Sequence, residues 1–253
     1  MLAPVDEPLI EALRLDAPYR VADVGCGGGG TALEIERNAP KGTVVHGFDI
    51  SPAMVEAARA RAREERRGTT FDVADVASRM AAAPYQRLSS RFGVMFFRDP
   101  MAAFANLRRW LAPGGRFAFA VWADPADNPW TTSVGEAVAS VIDLPVSEPD
   151  APGPFRYAEV GRLVTLLEQA ALAEIEVRTW QGELAVGGEL SPREAAHFAL
   201  SSFSTYAERL ADAGGDAFDT AHRALTARFA KHHRDGAVRM NASVHMVTGV
   251  RAD

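Results

Sequence analysis

The run Val21-Ala22-Asp23-Val24-Gly25-Cys26-Gly27-Gly28-Gly29-Gly30-Thr31 constrains the fold more than any other part of the chain. It follows an apolar strand pattern and opens a helical one. Glycines at such a junction let the backbone turn sharply, and they let a ligand approach without a Cβ in the way. A strand, a glycine turn and a helix in that order begin a parallel sheet with crossover helices.

The rest of the first half continues the alternation. Tyr19–Val24, Thr43–Phe48, Thr70–Val73, Tyr85–Ser90 and Arg116–Trp122 read as strands. Thr31–Asn38, Pro52–Arg66 and Pro100–Leu111 read as helices between them. Ser51-Pro52 and Asp99-Pro100 each set a capping side chain before a proline at the first helical position. Leu111-Ala-Pro-Gly-Gly115 stops the third helix and turns the chain into the next strand.

Beyond this core, Leu144–Pro154 is rich in proline and acid and reads as a loop. A helix over Tyr157–Ala170, a strand over Glu174–Trp180, helices over Pro192–Ala213 and Asp216–His232, and a strand over Val238–Val250 with a break near Asn241 are expected. Late strands separated by helices can rejoin the first sheet. The expected organisation is therefore a single domain over 1–253, with a cofactor-binding core at 1–125, substrate-side helices with one strand at 126–235, and a last strand at 236–253.

A net charge of −6 argues against broad binding to nucleic acid or an anionic membrane. One cysteine, Cys26, excludes an internal disulfide and a cysteine-rich metal site. The N-terminal residues lack the basic segment and apolar run of a secretory signal, and no stretch approaches the ~18 apolar residues of a membrane span. The expectation is a cytoplasmic protein with no resident metal, no nucleic-acid partner and no membrane partner.

Gly25, Gly27 and Gly30 also satisfy G-x-G-x-x-G, and Asp49 lies at the end of the second strand, where a ribose contact is expected. The glycine pattern alone therefore fits a nicotinamide or flavin enzyme. Asp23 weighs against it. A carboxylate beside the loop repels a pyrophosphate, whereas it favours the ammonium and sulfonium of S-adenosylmethionine. Its other reading is a polar residue satisfying loop amides. Asp49, with Ile50 and Met54 behind it, is placed to accept ribose hydroxyls and give apolar contact to adenine, although Met54 alone reads as helix core. Asp75, after the third strand, is placed for the adenine amine or for a helix cap.

At this point the chain resembles the class I S-adenosylmethionine-dependent methyltransferases, in a bacterial subgroup acting on small molecules. ADVGCGGG resembles their first motif, GFDISPAMVEAAR the acidic-loop motif and VADV the adenine motif. LAPGGRFAFAVW resembles the turn into the fifth strand. SRFGVMFFRDPMAAFANLRRWLAPGG with the later DNPW resembles the subgroup. The resemblance implies a Rossmann-like α/β/α sandwich. Its seven-stranded, mostly parallel sheet has the order 3-2-1-4-5-7-6, the seventh strand is antiparallel, and a helical insertion lies over the active site. It implies S-adenosyl-L-methionine as cofactor, held at Asp23, Gly25, Cys26, Gly27, Asp49, Ile50, Met54, Asp75, Val76 and Ser90. Ser90 and Arg91 are expected to line the methyl-transfer side.

Two departures stand out. Tyr85-Gln86 replaces the aromatic–aspartate pair that opens the fourth strand in these enzymes. Only Met1–Arg20 precede the first motif, where relatives have a longer helical lid. A lid lent by a partner subunit, hence a homodimer, is one answer to the second departure.

In-line methyl transfer to O, N or C of a small molecule asks the protein mainly to position two partners, with a base only where a proton must leave. His197, His222 and His245 are the candidate bases. His197 is preferred because its helix belongs to the expected insertion. His232-His233 reads as a helix end. Arg91 and Trp130 are candidates for binding substrate. Two other function classes stay open on residues alone: a binder of the same cofactor that transfers no methyl group (a cyclase or regulatory subunit), and a nicotinamide-dependent oxidoreductase.

Overall fold

The computed structural model describes residues 1–144 and 150–252. In chain order the elements are α1 (Asp6–Ala12), β1 (Arg20–Val24), α2 (Gly30–Asn38), β2 (Val44–Asp49), α3 (Pro52–Glu64), β3 (Thr70–Val73), β4 (Tyr85–Arg91), α4 (Pro100–Trp110) and β5 (Leu111–Trp122). There follow α5 (Pro129–Ala139), α6 (Val160–Gln169), β6 (Ala173–Val186), α7 (Pro192–Ser202), α8 (Ser204–Ala213), α9 (Ala217–Ala230), β7 (His233–Arg234) and β8 (Ala237–Val250). Of the loop expected over Leu144–Pro154, residues 145–149 lie outside the described residues.

The strands form one sheet in the order β3-β2-β1-β4-β5-β8-β6, with the two-residue β7 beside β8. Neighbours from β3 to β5 run parallel, and β8 runs antiparallel to β5. Setting aside β7, one extra strand, this is the mostly parallel sheet and strand order that the resemblance implies. β1 lies at its middle: Asp23 pairs with Gly47 of β2 and with Ser89 of β4. A strand buried on both faces reads as continuous apolar sequence, and Val21, Ala22 and Val24 are fully buried.

The proline-led caps act as their spacing predicts. Ser51 Oγ accepts from Met54 N at 3.4 Å, and Asp99 Oδ1 accepts from Ala102 N at 2.9 Å. Elsewhere the structure departs from the sequence pattern. β5 begins at Leu111 rather than Arg116. Leu111 pairs with Tyr85 and Arg116 with Arg87, so the proline–glycine turn is a bulge inside the strand. β8 is continuous through Asn241. The expected helix over Pro192–Ala213 divides at Phe203 into α7 and α8.

The sequence pattern does not predict α1 or α5. An isolated helix of seven residues is marginal, and the support for α1 comes from distant strands. Arg116 Nε donates to Ala12 O at 2.8 Å, while Arg87 donates to Leu13 O at 2.6 Å and to Arg14 O at 3.0 Å. For α5, Pro129 supplies the first turn, and the buried Asn128 side chain donates to Asp124 O and Ser243 O and accepts from Ser243 N.

The chain forms two compact units. One comprises Val5–Ala123, Asp150–Trp180 and the segment from Val244; it holds β1 to β5, α1 to α4 and α6. The other comprises Met1–Pro4, the segment from Asp124 and Gln181–Ser243; it holds α5, α7, α8 and α9. β6 and β8 carry the chain across the boundary. Among the described residues, no helix is long and apolar enough to cross a membrane.

Candidate functional site

The glycine turn stands at the carboxyl end of β1, the end at which open α/β sheets take ligands. Gly25 N and Cys26 N both donate to Phe48 O, at 2.8 and 3.0 Å. Gly27 N donates to Asp49 Oδ2 at 2.8 Å. Gly25 has φ +67° and Gly27 φ +51°, conformations that side chains rarely adopt. A Cβ on Gly25 would stand 2.7 Å from Gly93 Cα, so that glycine is demanded by the loop after β4. A Cβ on Gly27 or Gly28 would meet nothing within 4 Å, which leaves open space on that side of the turn.

Asp49 ends β2. Its Oδ1 accepts from Ser51 N at 2.9 Å while Oδ2 holds Gly27 N, so the carboxylate ties the second strand to the turn and keeps lone pairs for a further donor. Beside it Ile50 is 70% exposed and Met54 51% exposed. Met54 is therefore not helix core. Ala74 N donates to Asp49 O at 2.9 Å, which brings the end of β3 to the end of β2. Asp75 caps the following turn, its Oδ1 accepting from Ala77 N at 2.9 Å. Val76 beneath it is buried, and its carbonyl accepts from Asn106 Nδ2.

Asp23 is 1% exposed, and neither carboxylate oxygen has a hydrogen-bond partner among the described residues. Burial pushes its pKa from the ordinary 3.8 up to about 7, against the pull of Arg91 and Ser89. Ser90, fully buried, donates from Oγ to Val24 O at 2.7 Å and pins the end of β4 to β1. Arg91 follows it, and its Nη1 donates to Asp6 Oδ2 of α1 at 2.9 Å. The opposite oxygen of Asp6 accepts from Thr31 Oγ1 at 2.9 Å. Cys26, buried in the turn, has its thiol pushed well above the ordinary range by burial and by the Asp23 and Asp49 carboxylates.

Beyond Arg91 the chain turns through Phe92, a non-glycine residue at φ +62°, whose ring stacks on Trp122 with centroids 4.0 Å apart. Gly93 then packs on the glycine turn; a Cβ there would lie 2.7 Å from Val24 O and 2.9 Å from Gly25 Cα.

The structure thus brings Asp23, Gly25, Cys26, Gly27, Asp49, Ser90 and Arg91 together, with Ile50, Met54, Asp75 and Val76 on the strand ends alongside. Asp6, Thr31 and Gly93 belong to the same cluster, and sequence reading missed them. Asp6 carries no local signal, being one of three acids on a short helix, with its neighbours Glu7 and Glu11 exposed.

The remaining candidates stand on other elements. His197 and Trp130 belong to the unit that holds α5 and α7. His197 is exposed on α7, edge-on to Phe218 and His222 at 5.6 and 5.9 Å. Trp130 is buried on α5, tilted against Phe203 at 5.9 Å. His222 Nε2 shares a hydrogen bond with Arg193 O at 2.8 Å. His245, on β8, meets Thr179 Oγ1 through Nδ1 and Ala158 O through Nε2, a structural placement. His232 and His233 are exposed just beyond α9. Gln86, at the departure noted in the fourth strand, accepts from Arg20 N at 2.8 Å and so locks β4 to the start of β1.

Residues 21–115 match the model of a family described as a methyltransferase domain. The chain is similar to a demethylmenaquinone methyltransferase of Deinococcus radiodurans, 33% identical over 114 residues, covering 44% of this chain and 46% of that protein. It is also similar to a trans-aconitate 2-methyltransferase of Methylobacterium radiotolerans, 27% identical over 191 residues, covering 68% of this chain and 64% of that one. The first of these matches spans about half of its relative's length. Among solved structures, the YcgJ protein of Bacillus subtilis superposes with TM-score 0.63 at 16% identity over 99% of both chains. The [4+2]-cyclase SpnF superposes with TM-score 0.60 at 17% identity, covering 98% of this chain and 81% of that one. These structural likenesses establish the fold.

Proposed function

We propose that the chain is a class I S-adenosylmethionine-dependent methyltransferase of a small molecule, a reading supported by the match of residues 21–115 to the methyltransferase-domain model and by the shared fold. The observation that carries the reading is the buried, unpartnered carboxylate of Asp23 beside the glycine turn. A pyrophosphate there would face a negative charge. An amino-acid nucleoside with an ammonium and a sulfonium would neutralise it.

The residues present fit such a cofactor. Asp23 and the Gly25–Gly27 turn would receive its amino-acid part, the open side of Gly27 would let it approach the protein main chain, and Asp49 would accept from the ribose hydroxyls. Ile50 and Met54 cover the adenine face, with Asp75 and Val76 at its edge. Bound there, the cofactor supplies an electrophilic methyl group. Ser90 and Arg91 line the side where transfer occurs, and the protein's work is to orient the acceptor and exclude water. His197 and Trp130 are proposed substrate-side contacts within the same single-domain organisation. A cytoplasmic setting, no nucleic-acid partner and a homodimer belong to the same proposal.

A second reading, cofactor binding without methyl transfer, is supported by the fold shared with the cyclase SpnF. Calorimetry with S-adenosylhomocysteine and NAD tests the pocket. Binding of the first and not the second is expected, and the reverse overturns the proposal. Release of S-adenosylhomocysteine, with a +14 product by mass spectrometry across acceptor panels, is expected of the methyltransferase. Tight binding with no turnover on any panel favours the second reading.

A further inference from the structure

Asp6 lies outside every motif of the turn, yet it is 7% exposed and both of its oxygens are engaged, one by Thr31 Oγ1 and one by Arg91 Nη1. Arg91 therefore faces two buried carboxylates, and its hydrogen-bonded ion pair is with Asp6 on α1. Asp23, on the neighbouring strand, keeps both oxygens unpartnered. A buried carboxylate whose oxygens close no hydrogen bond, with only the Ser89 hydroxyl leaning on it, is stabilised by a proton or a cation. The Arg91 guanidinium, whose charge already acts on Asp23, is one such cation.

We propose that Asp6 is a positioning residue: by holding Arg91 it withholds the guanidinium from Asp23, and so keeps that carboxylate for the ammonium of an α-amino-acid head group bound at the glycine turn. The inference rests on the reading of the turn as an adenosylmethionine site. The arrangement works as a restraint on an internal competitor. Without Asp6, Arg91 loses its ion pair on α1, its balance shifts toward Asp23, and its charge competes there with the ligand's cation. Thr31, from the first turn of α2, fixes the Asp6 rotamer that does the holding.

The groups facing Asp23 set the consequence for protons. Arg91 and Ser89 on β4 favour its ionised form, while Asp6 on α1 and Asp49 at the end of β2 oppose it, with the neutral Cys26 thiol in the turn. Facing Asp6 within its own unit are Arg91, Thr31 and Glu34. A ligand ammonium and a proton exclude one another at Asp23, so binding below its midpoint of about 7 releases a proton.

The test uses the whole chain with 13C-carboxyl aspartate. Asp23 is titrated by NMR without ligand, and S-adenosylhomocysteine affinity is measured by calorimetry from about pH 5.5 to 7.5, where the ligand's ammonium stays charged. In the parent protein, affinity rises about tenfold per pH unit below the Asp23 midpoint. In Asp6→Ala the Asp23 midpoint falls by about one unit or more, the pH slope flattens, and affinity at the upper pH drops about tenfold. Asp6→Glu restores all three. Asp6→Asn, nearly isosteric, shows the same changes to a lesser degree and serves if the alanine variant does not fold. An Asp23 midpoint that stays put or rises in the variants overturns the proposal. So does an affinity loss with the slope unchanged, which marks a merely structural role. If the parent binds no S-adenosylhomocysteine at any pH, the functional reading fails. The ligand-free Asp23 midpoint then still decides whether Asp6 acts through Arg91: in an Arg91→Met background the fall caused by Asp6→Ala is expected to shrink, and a fall of unchanged size marks loss of the Asp6 charge alone and overturns the proposal.

Discussion

The two ends of α1 meet the same sheet in opposite electrostatic states. At its C-terminal end, Arg87 is 9% exposed and every direction is filled. Its guanidinium donates to the carbonyls of Leu13, Arg14 and Gln86, and lies 3.7 Å over the ring of Tyr19. Arg116 likewise donates to Ala12 O and Thr248 Oγ1. These cations sit where a helix C-terminus presents unpaired carbonyls and negative partial charge. At the N-terminal end, Asp6, Arg91 and Asp23 place two carboxylates against one guanidinium, and one carboxylate is left over. Seven helical residues span ~10 Å, about the reach of the β4 segment from Arg87 to Arg91, so one helix touches both clusters. Saturated buried charge holds the fold together, whereas unsaturated buried charge is kept at a cost in stability and marks where a ligand belongs.

The sharpest way to break the contrast is at the saturated end. Arg87→Met strips the donors from the carbonyls of Leu13 and Arg14. Urea denaturation is expected to show a loss of about 3 kcal/mol, with S-adenosylhomocysteine affinity unchanged in the folded protein. At the unsaturated end the sign reverses. An unfolded aspartate ionises near its ordinary 3.8, and the folded Asp23 near 7. Between those values the folded chain holds a proton that the unfolded chain has shed, so the ligand-free protein loses stability as pH rises through that window, and the loss is complete above it. Asp23→Asn removes the loss. It is expected to stabilise the ligand-free protein on the order of 2 kcal/mol at pH 8, to flatten the pH dependence of Tm, and to lower cofactor affinity about a hundredfold. A variant less stable than the parent at pH 8 would show that the carboxylate is satisfied after all. Smallest is Tyr19→Leu, which removes only the ring beneath Arg87. A loss of about 0.5–1 kcal/mol in the same denaturation assay is expected, and no change at the turn.

The same contrast explains what the sequence disclosed. β1 to β4, β8 and α2 to α4 carry their own instructions in apolar runs, glycines and proline-led caps, and their positions follow the pattern closely. The clustering of the turn residues with Asp49 was legible because a strand end followed by a capped helix is a local event, whereas Asp75 caps a turn with no helix behind it. α1 was not, since its support comes from Arg87 and Arg116, far along the chain. Asp6 was invisible for the same reason: its value lies in Thr31 and Arg91, which meet it only after the sheet has formed. The start of β5 was misplaced because Pro113-Gly114-Gly115 signals a turn, and nothing local says that the turn is absorbed as a bulge between paired residues. His197 has only its residue type and its place on the expected helical insertion to recommend it, and Trp130 its residue type.

Cys26 has a further consequence. A thiolate is among the best acceptors for an activated methyl group, and this one lies inside the turn proposed to receive that group. Shielding by the surrounding chain, together with the two acidic neighbours that raise its proton affinity, keeps the sulfur in its unreactive form. On the proposed reading of the turn, the protein is thereby spared self-alkylation, and the acids proposed to receive the reagent also hold this sulfur in its protonated form.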